Sequence, residues 1–89
     1  MEQVISGREI MLFISRFRLW DAYLDTDAII PKGGIDLRAP RYGCDECSFA
    51  LYKNGKYEIE AWVEDKKNPD NSTWELVEQG DIFDWVDRP

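Results

Sequence analysis

The stretch "CSFALYKNGKYEIEAWVED", residues 47–65, decides how this chain folds. Two runs of alternating apolar and polar residues meet across Asn54-Gly55, a strong short-range signal for a β-hairpin. A two-residue turn would pair Lys53 with Lys56, and would set Phe49 opposite Glu60 and Leu51 opposite Glu58. A three-residue loop, Lys53-Asn54-Gly55 with Gly55 as the bulge residue, instead sets Leu51 opposite Tyr57, Phe49 opposite Ile59 and Cys47 opposite Ala61. A slip of one residue turns every side chain to the other face, so the apolar pattern selects the bulged loop. One face then holds Cys47, Phe49, Leu51, Tyr57, Ile59, Ala61 and Val63, and is the expected core. The other holds Glu46, Ser48, Ala50, Tyr52, Glu58, Glu60, Trp62 and Glu64. That second face is acidic, and it carries an indole that the core does not claim.

Upstream, Ser6-Gly7-Arg8-Glu9 fits a capping box, and Ile10, Phe13, Ile14, Phe17 and Leu24 come after it at helical spacing. A helix over residues 8–24 is therefore expected. A strand is the alternative, because Met11, Phe13, Phe17 and Leu19 also alternate with Arg16 and Arg18. Residues 25–43 read as turn-rich, broken by Pro31, Gly33, Gly34, Pro40 and Gly43. Lys32, Arg38 and Arg41 make a small basic spot there, expected to be solvated. The segment "PKGG" lacks the G-x-x-x-x-G-K-[ST] pattern of a phosphate loop.

Downstream of the hairpin, "DKKNPDNS" is a polar loop, and Thr73 to Glu78 reads as a third strand. Ser72-Thr73-Trp74-Glu75 would also suit a second capping box, so a helix competes with it. Residues 80–87, "GDIFDWVD", read as a short terminal helix or strand with Ile82, Phe83 and Val86 packed. The expected architecture is α+β: one N-terminal helix on an antiparallel β-meander of three or four strands, all in one domain, residues 1–89.

Composition fits a folded domain, at 44% hydrophobic residues with twelve aromatics, four of them Trp. Two or three of the Trp side chains are expected in the core. The longest apolar run, Ile10 to Ile14, falls far short of the ~20 residues that span a bilayer. Without a basic n-region or a small-residue cleavage site, a cytoplasmic address is the expectation, with thiols reduced. Net charge is −7, and the second half supplies all of it: residues 1–43 carry six basic and six acidic groups, residues 44–89 five and twelve. So uneven a balance argues against direct binding to nucleic acid or an anionic membrane, and favours a basic partner.

Cys44 and Cys47 form a C-x-x-C, and the chain holds no other cysteine and no histidine. A structural zinc needs about four ligands, so it would require carboxylates or a second chain. A redox motif normally opens a helix, whereas Cys47 opens a strand beside Asp45 and Glu46. Unpaired structural cysteines are therefore expected, with no cofactor. Asp21, Asp25 and Asp27 cluster, but Ile29 and Ile30 stand where an EF-hand needs oxygen ligands and glycine. With no histidine, nucleophile motif or cofactor loop, no catalytic residue can be assigned, and the chain is expected not to be an enzyme.

The expected function is a non-enzymatic, protein-binding inhibitor. Its candidate partner-binding residues are Glu58, Glu60, Trp62, Glu64, Glu46 and Tyr52, facing a basic, nucleic-acid-binding surface of a partner protein. Carboxylates on alternate strand residues would line up somewhat as phosphates do along nucleic acid. In size, acidity and absence of catalytic motifs the chain resembles the small inhibitors that phages deploy against bacterial defences, anti-CRISPR proteins among them. The alternative is a metal-linked homodimer or small redox/metal protein built on Cys44 and Cys47.

Overall fold

The hairpin forms in the bulged register, with Leu51 opposite Tyr57, Phe49 opposite Ile59 and Cys47 opposite Ala61. The structure, a computed structural model, describes residues 3–24 and 34–86, Val86 by its backbone alone. The amide of Gly55 donates to the Tyr52 carbonyl at 2.9 Å, and the Tyr52 amide to the Lys56 carbonyl at 2.8 Å. Gly55 sits at φ +91°, a conformation that only a residue without Cβ adopts at little cost.

Five antiparallel strands run in chain order across one sheet: β1 (Tyr23–Leu24), β2 (Ile35–Arg41), β3 (Cys44–Leu51), β4 (Lys56–Val63) and β5 (Thr73–Asp81). With its helix the protein is α+β, and the meander has five strands where three or four were expected. The additional strands are β1 and β2, inside or just before the segment read as turns. Ile35, Leu37 and Ala39 alternate there with Asp36 and Arg38, but the glycines before them and Pro40 after them hide the pattern. Pro40 is tolerated because the β2–β3 register shifts between Ala39 and Arg41, where no ladder amide is required of it. Positions 25–33, which include Asp25, Asp27 and Lys32, lie outside the described residues.

Helix α1 covers Gly7–Phe17 and starts from the expected capping box, the Ser6 amide and hydroxyl both donating to the Glu9 carboxylate at 2.9 Å. It ends earlier than the periodicity suggested. Arg18 adopts the left-handed conformation at φ 53°, a helix-terminating geometry, and a 3-10 turn at Leu19–Asp21 leads into β1. Leu24 is therefore off the helix, in a strand and exposed.

The helix lays Phe13 and Phe17 on the sheet. Phe13 is fully buried, its ring 5.2 Å from Phe17 and 5.6 Å from Tyr57, and Phe17 reaches Phe49 at 5.8 Å. With Cys47, Leu51, Ile59, Ala61 and Ile82 these side chains make one core, and each large one buried contributes about 1.5–3 kcal/mol. A four-residue helix, α2 (Phe83–Val86), closes the same side, with the Trp85 ring 5.1 Å from Tyr57 and 5.9 Å from Phe17. Both helices thus lie on one face of the sheet.

Two expectations about the core fail. Val63, at the far end of β4, is exposed and stands outside the core cluster. No tryptophan is fully buried: Trp62, Trp74 and Trp85 are half-buried and Trp20 is exposed. Residues 73–81 form the expected strand and not the competing helix, with Trp74 and Leu76 alternating with Thr73 and Glu75 as read and a register shift at Val77. Trp74 and Leu76 stand opposite Trp62 and Glu60, on the side away from the helices, while Glu75 stands opposite Ala61.

A Cβ added at Gly55 would lie 2.5 Å from the Phe83 ring, inside van der Waals contact. Gly55→Val therefore meets a clash as well as a disfavoured φ, which alone costs about 1–3 kcal/mol. Chemical denaturation should show a loss of at least about 3 kcal/mol. A loss below about 1 kcal/mol would mean that the turn is not built as described.

Candidate functional site

The sheet face away from the helices is laid out by the same register. Across it run Asp36, Ala50, Glu58 and Gln79 in one row, and Arg38, Ser48, Glu60 and Leu76 in the next. Trp62 pairs with Trp74 one step further on, their rings edge to face at 5.2 Å. Alternation along β3 and β4 puts Glu46, Glu58, Glu60 and Trp62 on this face. Tyr52 follows β3 directly at the turn, two residues on from the outer-face Ala50, and its phenol is pushed up first by burial and then by the charges of Glu58, Glu60 and Asp36. Glu64 lies just past the end of β4 and is exposed.

The face is not a bare row of carboxylates. Arg38, from the strand that the sequence hid, stands among them. It pairs with Asp36 at 3.2 Å and Glu46 at 3.5 Å, and its guanidinium lies 4.8 Å from the centre of the Trp74 ring. Asp36 is nearly fully buried, and its second oxygen accepts the Ser48 hydroxyl at 2.8 Å. Such burial of a charge is tolerated only with partners of this quality. Glu46 also accepts the Tyr23 hydroxyl at 3.0 Å. The expected solvated basic spot is thus engaged: Arg38 as described, and Arg41 with Asp21 at 2.7 Å and the Arg18 carbonyl at 2.8 Å.

What remains unneutralised lies toward β4 and β5. Glu58 and Glu60 are half-buried and have no cationic partner among the described residues. Beside them are the two indoles and Leu76, which is 53% exposed. Four of the six candidate residues, Tyr52, Glu58, Glu60 and Trp62, therefore fall within this patch. Glu46 is drawn into the Arg38 network, and Glu64 lies outside the ladder. The sequence reading missed Asp36, Arg38 and the outward turn of Trp74. The alternation in residues 35–39 is the signal that could have found the first two.

Cys44 and Cys47 are both free thiols, Cys47 within the core and Cys44 packed against it. Cys47 is fully buried, its Sγ 3.1 Å from the Arg41 carbonyl, and burial pushes its thiol up. Thiolate is the metal-binding and nucleophilic form, so this environment disfavours both chemistries at Cys47. Among the described residues no group of three or more His, Cys, Asp or Glu could hold a metal ion. On the helix side a cleft of about 430 Å³ is lined by Arg16, Tyr57, Gly80, Asp81, Asp84 and Trp85. Arg16 already lies over the Trp85 ring there, at 4.7 Å.

The fold and this face define an α+β protein with one side of its sheet under helices and the other presenting carboxylates and indoles. Compared with known proteins, the chain matches no family model, no curated protein and no solved structure.

Two measurements test these local assignments. Native mass spectrometry should give the same mass with and without chelator. A metal-bridged dimer that dissociates on chelation would revive the cysteine alternative. The second concerns Tyr57, whose hydroxyl donates to Glu78 at 2.8 Å. Burial, then that bond and the Glu78 charge, push its phenol up from 10.0 to about 12. A group with a raised folded-state pKa contributes fully below its unfolded value and is lost as pH climbs through the folded one. Between pH 10 and pH 12 the protein should therefore lose about 1–2 kcal/mol more stability than its Tyr57→Phe variant, since solvent reaching the phenol screens part of the effect. Equal losses in the two proteins across that window would rule out Tyr57 as the source.

Proposed function

We propose that the protein is a non-enzymatic binding module that occupies a basic, nucleic-acid-binding surface of a partner protein. The carrying observation is the patch of Glu58, Glu60, Trp62, Trp74 and Leu76 on a sheet face over which neither helix lies. Alternate residues on a strand stand about 6.7 Å apart, so Glu58 and Glu60 present charge on the length scale of a nucleic-acid backbone. The carboxylates set on-rate and salt sensitivity, while an indole seated in a partner pocket holds the complex. The acidic second half of the chain extends the same field around the patch.

In size, acidity and lack of a catalytic motif the chain is similar to the small inhibitors that phages deploy against bacterial defences, anti-CRISPR proteins among them. That similarity makes a nucleic-acid-binding defence effector in the host cytoplasm the partner class to test first.

The test is affinity capture from bacterial lysate at low salt, then competition between the immobilised protein and duplex DNA for whatever is captured. The unmodified protein should retain a basic DNA- or RNA-binding protein, and DNA should displace it. Glu58→Lys combined with Glu60→Lys should retain none of it. Trp62→Ala should bind about 30-fold more weakly, the equivalent of about 2 kcal/mol. It should remain folded while losing about 1 kcal/mol of stability with its edge-to-face partner. A folded charge-reversed variant that still holds the same partner at full strength would place the site elsewhere.

A further inference from the structure

We propose that the outward edge of β5 takes up an extended segment of the partner as a sixth strand, one that alternates basic and apolar side chains. This rests on the reading that the partner is basic, and adds how its backbone is held. Strand β5 is nine residues long and last in the sheet order. Its ladder pairs it with β4, and among the described residues no backbone group bonds to its other side. Half of its amides and carbonyls therefore point outward along about 30 Å of strand.

Natural edges of this length are usually blunted by lysine or proline. Thr73–Asp81 contains neither; it carries one register shift, at Val77, and the carboxylates Glu75, Glu78 and Asp81, which discourage acidic strands but not basic ones. Leu76 and Val77 are 53% and 42% exposed beside that edge. An open edge with apolar flanks is a template for strand addition.

Charge selects the occupant. The strand carries Glu75, Glu78 and Asp81 and no cation. A second copy of this chain laid against it brings acid to acid in a protein already at −7, so self-pairing is opposed. A foreign strand bearing Lys or Arg meets no such repulsion. The alternation of β5 sets the pattern of that strand. Thr73 and Glu75 share the helix side, opposite Val63 and Ala61, and call for basic or polar residues across from them. Trp74 and Leu76 share the outer side, opposite Trp62 and Glu60, and call for apolar ones. The added strand would continue the candidate face, bringing its apolar side chains beside the paired indoles.

The experiment uses the full chain, labelled with nitrogen-15, and a synthetic nonapeptide alternating Lys with Val. The control peptide has the same sequence with alternate backbone nitrogens methylated along one edge, which keeps its charge and removes its hydrogen bonds. Strand addition predicts that the amides of residues 73–79 shift and exchange more slowly with the parent peptide. It also predicts at least tenfold weaker binding of the methylated peptide, and of the parent peptide to Glu75→Lys. Equal binding of both peptides overturns strand addition, as does a response confined to Glu58, Glu60 and Trp62, or no binding at low salt. The first two results leave an electrostatic acidic face standing. Failure of the broader function shows separately, as unchanged partner capture by the Glu58→Lys, Glu60→Lys protein.

Discussion

Three segments of the chain meet at the hairpin turn. The Gly55 carbonyl accepts the Ile82 amide at 2.8 Å, and the Lys53 carbonyl accepts the Ile5 amide at 2.9 Å. Gly55 thereby anchors the run into α2, and the nearby Lys53 anchors the entry to α1. The space where a Cβ would stand holds the Phe83 ring. One residue without a side chain therefore sets the strand register and admits the terminal helix, while Lys53 beside it ties down the segment entering α1. Had the turn been two residues long, Phe49 would face Glu60 and neither face could be buried.

Having both helices on one side fixes what the other side must be. With Phe13, Phe17, Trp85 and the core strands satisfied on the helix side, nothing calls for more apolar cover outside. The outer face instead holds an ion-pair network centred on Arg38 and two indoles packed on each other. A buried Asp36 that is shielded by both Arg38 and Ser48 is a poor source of net stability, though removing Arg38 would leave its charge uncompensated and removing Ser48 would leave one oxygen without its hydrogen bond. Such a network fixes the arrangement of side chains more than it strengthens the fold.

What the sequence made legible was local. The hairpin, its register, its two faces and the capping box at Ser6 each rest on residues within about ten positions of one another, where turn chemistry and periodicity act directly. The end of α1 was not legible, because a left-handed Arg18 carries none of the usual glycine signal. Strand β2 was concealed by Pro40, which is harmless only because a register shift falls beside it, a fact that exists only in the paired sheet. The outward turn of Trp74 was hidden for a related reason. Thr73 to Leu76 alternates cleanly, but Val77 breaks the pattern, and which side is inward is set by the pairing with β4, where Trp74 stands opposite Trp62. For the candidate site, Glu58, Glu60, Trp62 and Tyr52 came from the hairpin alone; the alternation in residues 35–39 marks Arg38 as a strand residue, but its place beside Glu46 and Trp74 follows only from the pairing of β2 within the sheet.

The position of Arg38 bears on what the face can do. It comes from β2 and draws Asp36 and Glu46 toward itself, so the β2–β3 side of the outer face is close to balanced. Glu58 and Glu60 on β4 have no such partner among the described residues, whereas Glu75 and Glu78 of β5 lie on the helix side, opposite Ala61 and Ile59. The uncompensated charge of the outer face therefore sits on β4, beside the open-edged strand. The two indoles lie on that same side, one on β4 and one on β5, with the Arg38 guanidinium reaching over Trp74. Under the proposed function, a basic surface would be drawn by the uncompensated carboxylates to the region where aromatic area and the open edge of β5 coincide. Long-range attraction and short-range holding then act at one place, which a uniformly acidic surface would not achieve.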